Sequence, residues 1–340
     1  MTTLAEEVLA GSRLALARLL TLIENEDPQG EAALDRLFPH SGRAHWIGVT
    51  GSPGAGKSSL VNRLARAFRS PADGSPPRTV AIVAVDPSSP FTGGALLGDR
   101  VRMRDLSGDP GVFIRSMASR GALGGLARTT PAVVQALDGA GFDIILIETV
   151  GAGQSEVEIA RLAHTVIVVE APGMGDDIQA IKAGILEIAD ILVLNKADLP
   201  GAENALRTLR SMLELGHPGR ESAPPSAPSS EWRPPLIATV AIQNEGIPEL
   251  MQHLQAHAEY LRRSGGWQVR DRSRLQTQLE ELLQATLLKR WRSSLPDGEY
   301  QQILTDLQAR RISPYQALHS LLGEAPFPQS FQRGSSALLT

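Results

Sequence analysis

Gly51-Ser-Pro-Gly-Ala-Gly56-Lys57-Ser58-Ser59 follows directly on the apolar stretch His45-Trp-Ile-Gly-Val-Thr50. The pattern is G-x-x-x-x-G-K-[ST], the phosphate-cradling loop of nucleoside triphosphatases. Glycine suits it because backbone N–H groups must turn inward and approach phosphate oxygens with no Cβ in the way. A helix starting near Lys57 turns the positive end of its dipole to the same anion. In such a loop Gly51, Ser52, Pro53, Gly54, Ala55, Gly56, Lys57, Ser58 and Ser59 form the cradle. Lys57 reaches the β- and γ-phosphates, and the Ser58 hydroxyl ligates magnesium. The bland alternative is a glycine-rich turn before a helix, and the strand ahead of the loop favours the phosphate reading.

Further along, Asp190-Ile-Leu-Val-Leu-Asn195-Lys196-Ala-Asp198 is a short apolar strand ending in N-K-x-D. A carboxylate at Asp198 can accept from the guanine N1–H and 2-amino group. Adenine lacks that donor pattern, so a buried Asp198 would be left unpaired beside it, which is costly. Asn195 and Lys196 would buttress the loop and cover the base. Alone the motif is also compatible with a polar strand end and a turn at Leu199-Pro200-Gly201. Downstream of a phosphate loop it predicts GTP as the nucleotide.

The chain has 340 residues, 42% hydrophobic and 21% charged, with a net charge of −4 and no cysteine. That is an ordinary globular composition with enough apolar material for a sizeable core. The charge gives no footprint for a polyanion, which argues against nucleic acid. Disulfides, thiolate metal sites and cysteine nucleophiles are excluded. No apolar run approaches the ~20 residues that span a bilayer. Met1-Thr-Thr-Leu-Ala-Glu-Glu carries acid where a signal peptide would carry base, so a cytoplasmic protein is expected.

From Trp46 to about Leu261 apolar strands alternate with amphipathic helices. Strands are predicted at 46–50, 79–85, 111–115, 142–148, 164–170, 190–195 and 235–241. Continuous runs such as Ile144-Ile-Leu-Ile147 and Val166-Ile-Val-Val169 suit strands buried on both faces. The expected fold is α/β, a three-layer P-loop NTPase sandwich with a mostly parallel sheet and helical extensions at both ends. Residues 1–45 form the N-terminal extension, with Leu16, Leu19, Leu20 and Ile23 on one helix face. Asp27-Pro28-Gln-Gly30 ends that helix, and a short one is expected from Glu31 to Phe38. Residues 46–262 form the nucleotide domain, carrying a Pro/Ser-rich insertion at 217–235 expected to be a mobile loop. Residues 263–325 form a helical arm with a wide stripe of Leu275, Leu279, Leu282, Leu283, Thr286 and Leu287, which must be buried on the sheet domain or on a second copy. A disordered tail is expected at 326–340.

Phosphoryl transfer needs positioning and charge neutralisation, so acids near the loop matter. Asp86 ends one strand, Asp99 lies in Thr92-Gly-Gly-Ala-Leu-Leu-Gly-Asp99-Arg100, and Glu148 ends the very apolar strand 142–148. Each alone could be a strand-end turn residue. Together, beside glycine-rich loops, they suggest a magnesium-linked set. Ala171-Pro-Gly-Met-Gly-Asp176-Asp177 leads into a helix whose Gln179 and Lys182 share an outward side. His253 and His257 have i, i+4 zinc-like spacing, but with no third ligand an exposed helix face near 248–261 is expected. His164 reads as structural, and Arg100, Arg102 and Arg104 as a solvated loop.

Asp86-Pro-Ser-Ser-Pro90, Thr92-Gly-Gly94, Gly98-Asp99-Arg100, Ser119-Arg-Gly-Ala-Leu-Gly-Gly125 and Glu148-Thr-Val-Gly-Ala-Gly-Gln154-Ser-Glu156 together resemble the MeaB/ArgK family. These are P-loop GTPases of the SIMIBI class that accompany methylmalonyl-CoA mutase and related adenosylcobalamin enzymes. Generic GTPases carry an aspartate where Glu148 stands. The resemblance runs from about Leu4 to about Leu322. It implies GTP or GDP bound by residues 51–59, Asn195, Lys196 and Asp198, with Val240, Ala241 and Ile242 lying over the base. Val240-Ala241 replaces the Ser-Ala of many relatives, which makes that base contact main-chain. It further implies magnesium held through Ser58, Asp86, Asp99 and Glu148, and catalysis by Lys57, Glu148, Gln154 and Lys182. The loop from Pro172 to Lys182 becomes a nucleotide-sensitive switch reporting to the mutase, and the chain a homodimer. The implied function is a GTP-hydrolysing chaperone that gates cofactor loading and protection of an adenosylcobalamin-dependent mutase. Three alternatives stand beside it: a nickel or zinc metallochaperone GTPase, disfavoured by the missing cysteines, a transport-linked protein kinase, and a GTP sensor without turnover.

Overall fold

The structure, a computed structural model, describes residues 2–86, 103, 105–106, 108–118, 129–149, 155–173, 187–216, 232–296 and 298–323. Seven strands run β1 (His45–Gly51), β2 (Val80–Asp86), β3 (Val112–Ala118), β4 (Ile144–Glu148), β5 (Thr165–Glu170), β6 (Ile191–Asn195) and β7 (Leu236–Thr239). They form one sheet in the order β3-β2-β4-β1-β5-β6-β7, and every pairing in it is parallel. The predicted strands are all present, with ends shifted by up to three residues. Both faces are dry: Ile145, Ile147, Val166 and Val168 enter one apolar cluster, and Ile144, Leu146, Ile167 and Val169 the other. This period-2 division on unbroken apolar runs is what a helix-flanked parallel sheet requires.

Among the described residues are eleven helices: α1 (Leu4–Leu9), α2 (Arg13–Glu24), α3 (Pro28–Leu37), α4 (Lys57–Arg69), α5 (Thr130–Gly139), α6 (Ser155–Leu162), α7 (Ala202–Gly216), α8 (Ile247–Ser264), α9 (Gly266–Ser294), α10 (Glu299–Gln308) and α11 (Pro314–Gly323). Leu16, Leu19, Leu20 and Ile23 of α2 are buried in the same cluster as Val133 and Leu137 of α5, as the helical spacing predicts. The second face is covered by Leu60, Val61 and Leu64 of α4 and by Leu250 and Leu254 of α8. One boundary differs from expectation. Asp27-Pro28 ends α2 but also opens α3: the Asp27 carboxylate accepts from Gln29 N at 2.8 Å, and Pro28 sits in the first turn, where it needs no N–H partner.

The chain divides into two compact units, Met1–Arg274 and Leu275–Thr340. In the second, the Trp291 and Tyr300 rings meet edge-on at 6.4 Å. Its apolar stripe stands open on the single chain, with Leu279, Leu282, Leu283 and Leu287 each more than half exposed.

The opening turns of α9 belong to the first unit and dock on the amino-terminal ends of β1, β5 and β6. Trp267 stacks on His164 with centroids 3.9 Å apart, and the Arg274 guanidinium lies 3.5 Å from the Trp46 ring centre. Trp46 N–H donates to His164 Nδ1, so the proton sits on Nε2 and is donated to Asp271 at 2.8 Å. Arg270 donates through two nitrogens to the Asp190 carboxylate, each at 2.8 Å. Thr165 Oγ1 joins His45 Nε2 at 2.7 Å and His257 Nδ1 at 2.9 Å, while His257 Nε2 lies 3.3 Å from Asp190 Oδ1. The expectation of an exposed face for His257 therefore fails. It is 1% exposed, because Thr165 and Asp190 give a buried imidazole partners that zinc-like spacing could not reveal. Burial pushes His45 well below the usual imidazole range and lowers His164, the latter opposed by the hydrogen bond to Asp271. For Asp190 burial acts upward, but hydrogen bonds from Arg270 and His257 outweigh it and bring the carboxyl to about 2.

Candidate nucleotide-binding site

The strand order places this site. β1 lies between β4 and β5, so the loop leaving β1 emerges between two neighbours at a reversal of strand order, outside the carboxyl ends. Gly51 pairs with Val169 at φ 126, and an added Cβ would lie 2.7 Å from Val169 N. Gly56 has φ 93 and caps α4 without a side chain that could bond with the first-turn N–H groups. A Cβ there would overlap the Asn195 amide. The cradle thus has the close backbone approach and the helix-end N–H groups that a phosphate chain needs.

Buried side chains hold the loop. Lys57, 7% exposed, donates from Nζ to Gly51 O at 2.9 Å and to Ser52 O at 3.0 Å. Glu148, aligned with Val49 and 6% exposed, accepts from Ser58 Oγ at 2.6 Å. On the other side Glu170 ends β5, is 1% exposed, and accepts from Ser52 Oγ at 2.6 Å. One acid therefore stands on each flank of β1, each bonded to a serine of the loop. Below them the Thr149 and Thr50 hydroxyls are 2.9 Å apart. The adjoining hydroxyl and carboxylate of Ser58 and Glu148 are hard oxygen donors of the type magnesium takes.

The second motif meets the loop directly. Asn195, 2% exposed, donates to Ala55 O at 2.8 Å, and its Oδ1 accepts from Thr239 Oγ1 and Ala241 N, each at 3.1 Å. Lys196, at φ 58, donates to Gly54 O at 2.8 Å. Ala197 N donates to Thr239 O at 3.0 Å, tying the motif to the end of β7. Asn195 and Lys196 thus buttress the loop as expected. Asp198 stands exposed in the turn, so the burial that the sequence predicts for it is not supplied by the chain itself and would have to come from a base lying over it. Val240 and Ala241 are buried, and Ile242 is 68% exposed.

Asp99, Gln154, Gln179 and Lys182 lie outside the described residues, as do Arg100, Arg102, Arg104, residues 217–231 of the insertion and the tail at 326–340; Asp86 closes β2 in the backbone. Two residues escaped sequence reasoning. Glu170 had a signal, an acid ending an apolar strand just as Glu148 does. Arg63 had none, being one polar residue among several on an amphipathic helix. Its Nε donates to Ala241 O at 2.8 Å and its Nη2 to Ile242 O at 2.7 Å.

Comparison with known proteins agrees with this geometry. The family model described as methylmalonyl Co-A mutase-associated GTPase MeaB matches residues 16–295. A putative GTPase of Pyrococcus abyssi is 43% identical over 322 residues, 94% of this chain and 95% of its own. The GTPase ArgK of Escherichia coli is 34% identical over 328 residues, 94% of this chain and 96% of its own. Among solved structures, that of a LAO/AO transport system kinase superposes with a TM-score of 0.66 at 28% identity, covering 94% of this chain and 95% of that one.

Proposed function

We propose, from the premise that this chain belongs to the MeaB family of methylmalonyl Co-A mutase-associated GTPases, that it couples GTP hydrolysis to the care of an adenosylcobalamin-dependent mutase. In this reading the enzyme is a cytoplasmic homodimeric chaperone gating cofactor loading and protection, with methylmalonyl-CoA mutase the first candidate partner. The observation that carries it is the family match across 16–295, joined to a phosphate loop wired to an N-K-x-D strand through Asn195.

The chain's own residues take these roles. Backbone N–H groups of the loop 51–59, all but that of Pro53, and the start of α4 hold the phosphates, and Lys57 turns from the Gly51 and Ser52 carbonyls to the γ-phosphate. Asp198 accepts from the guanine edge while residues 240–242 cover it. Ser58, Glu148, Asp86 and Asp99 would hold magnesium, which would neutralise the negative charge that develops in phosphoryl transfer. Gln154 orients the attacking water, and Lys182 approaches the γ-phosphate when the partner orders its loop.

The test is phosphate release into water, measured with and without the cognate mutase. Glu148→Ala is expected to lower turnover at least tenfold, about 1.4 kcal/mol in barrier. Gln179→Ala and Lys182→Ala are expected to keep the basal rate and lose the partner's stimulation. Unchanged stimulation in both would rule out the switch role of Gln179 and Lys182, a wild type that the mutase does not stimulate would refute the chaperone reading, and phosphate appearing on a protein instead of in water would favour the transport-kinase alternative.

A further inference from the structure

We propose that Arg63 positions the purine-facing loop, so that one helix sets both the phosphate end and the base end of the nucleotide site. α4 begins with Lys57 and Ser58 at the cradle, and Arg63 follows six residues on, about 9 Å along the axis. Its planar fork engages two successive carbonyls, Ala241 and Ile242, at 2.8 and 2.7 Å. Among the described residues no carboxylate pairs with Arg63, whereas its neighbour Arg66 is bonded to Asp105. The two carbonyls are thus what the guanidinium is held by, and they are held by it in turn.

Two carbonyls fixed by one rigid group fix peptide planes. In a trans peptide the N–H points opposite the C=O, so anchoring Ala241 O to α4 turns the Ile242 N–H away from the helix. The Ala241 N–H is already spent on Asn195 Oδ1, and Gln243 N donates to Val240 O at 2.9 Å. The Ile242 N–H is therefore the donor that Arg63 orients. The base edge it suits is the guanine O6, an acceptor where adenine carries a donor. A lysine in place of Arg63 could meet one carbonyl but not both in one plane.

This inference rests on the reading of 239–242 as the base loop. Its test uses the full chain and three diphosphates: GDP, IDP, which keeps O6 and lacks the 2-amino group, and 2-aminopurine riboside diphosphate, which lacks O6. Arg63→Ala is expected to weaken GDP and IDP about tenfold by calorimetry and to leave the O6-lacking analogue unchanged. Arg63→Lys is expected to fall between wild type and Arg63→Ala, and to carry the test if the alanine variant folds poorly. The melting temperature without nucleotide is expected to move by no more than about 2 °C. Equal weakening of all three diphosphates, or of none, overturns the positioning role while a wild-type preference for GDP over ADP keeps the base-loop reading. A wild type that binds ADP as tightly as GDP overturns both.

Discussion

Replacing Asp190 by Asn should destabilise the first unit by about 2 kcal/mol at pH 7. Its carboxyl titrates at about 2 in place of the ordinary 3.8, because the bonds from Arg270 and His257 overcome a burial that acts the other way. At 1.36 kcal/mol per pH unit that difference makes the ionised form stabilising by about 2 kcal/mol. The folded value is the depressed one, so this stability is complete above pH 3.8 and lost as pH falls towards 2, about half of it gone by pH 3. Asn retains an acceptor for Val166 N, bonded at 2.8 Å, but no longer matches the Arg270 fork. Breaking a deeply buried pair costs about 3–5 kcal/mol, yet the Arg270 side chain is 34% exposed and stays hydrated, so the smaller figure governs. Urea unfolding followed by far-ultraviolet circular dichroism measures the loss. Calorimetry should show a drop of roughly 4–8 °C in melting temperature. In a double-mutant cycle with Arg270→Gln most of the effect should appear as coupling. An Asn variant within about 0.5 kcal/mol of wild type would refute the reasoning.

Asp198→Asn should shift preference from GTP towards xanthosine triphosphate, since the amide reverses the donor pattern facing the purine edge; competition binding checks it, and undiminished GTP affinity counts against the base site. His45 and His164 are held neutral chiefly by burial, so the unfolded chain takes up protons below pH 6.5 that the folded one refuses. Stability should be complete above that value and decline as pH falls below it, and equal melting temperatures at about pH 7.5 and 5.5 would contradict this. An apolar stripe as open as that of α9 is uncommon on monomers, and a two-fold pair is the commonest way to cover one. Leu279→Glu should dissociate a dimer in sedimentation equilibrium, and a wild type that sediments as monomer at all concentrations would rule the dimer out.

What could be read ahead of the structure was whatever the chain announces locally. The phosphate loop needs only glycines between an apolar run and a helix start, all within fifteen residues. The two-faced burial of β4 and β5 is likewise written in unbroken runs of Ile and Val. Asn195 could be read as a buttress because its motif is short and its strand is apolar. The misses share a different cause. His257 is buried through Thr165 and Asp190, which lie 92 and 67 positions away, and Arg63 meets carbonyls 178 and 179 positions along. Backbone carbonyls carry no residue type, so no sequence pattern could have named them as partners. Glu170 was legible by the rule that picked out Glu148, since each is an acid at the end of an unbroken apolar run.

The placing of the aromatic residues decides what light can report. Of the four tryptophans, Trp46, Trp232 and Trp267 all touch the docking site of α9: Trp232 donates to Asp190 O at 2.7 Å, Trp267 stacks on His164, and Trp46 lies under Arg274. The fourth, Trp291, belongs to the second unit. The phosphate loop starts about five strand residues from Trp46, some ~16 Å away. Intrinsic emission from this protein is therefore nearly blind to its nucleotide. It watches instead the packing of the opening turns of α9 against His164, Asp190 and Trp46, so that a loosening of this docking would be seen as a change in colour and intensity.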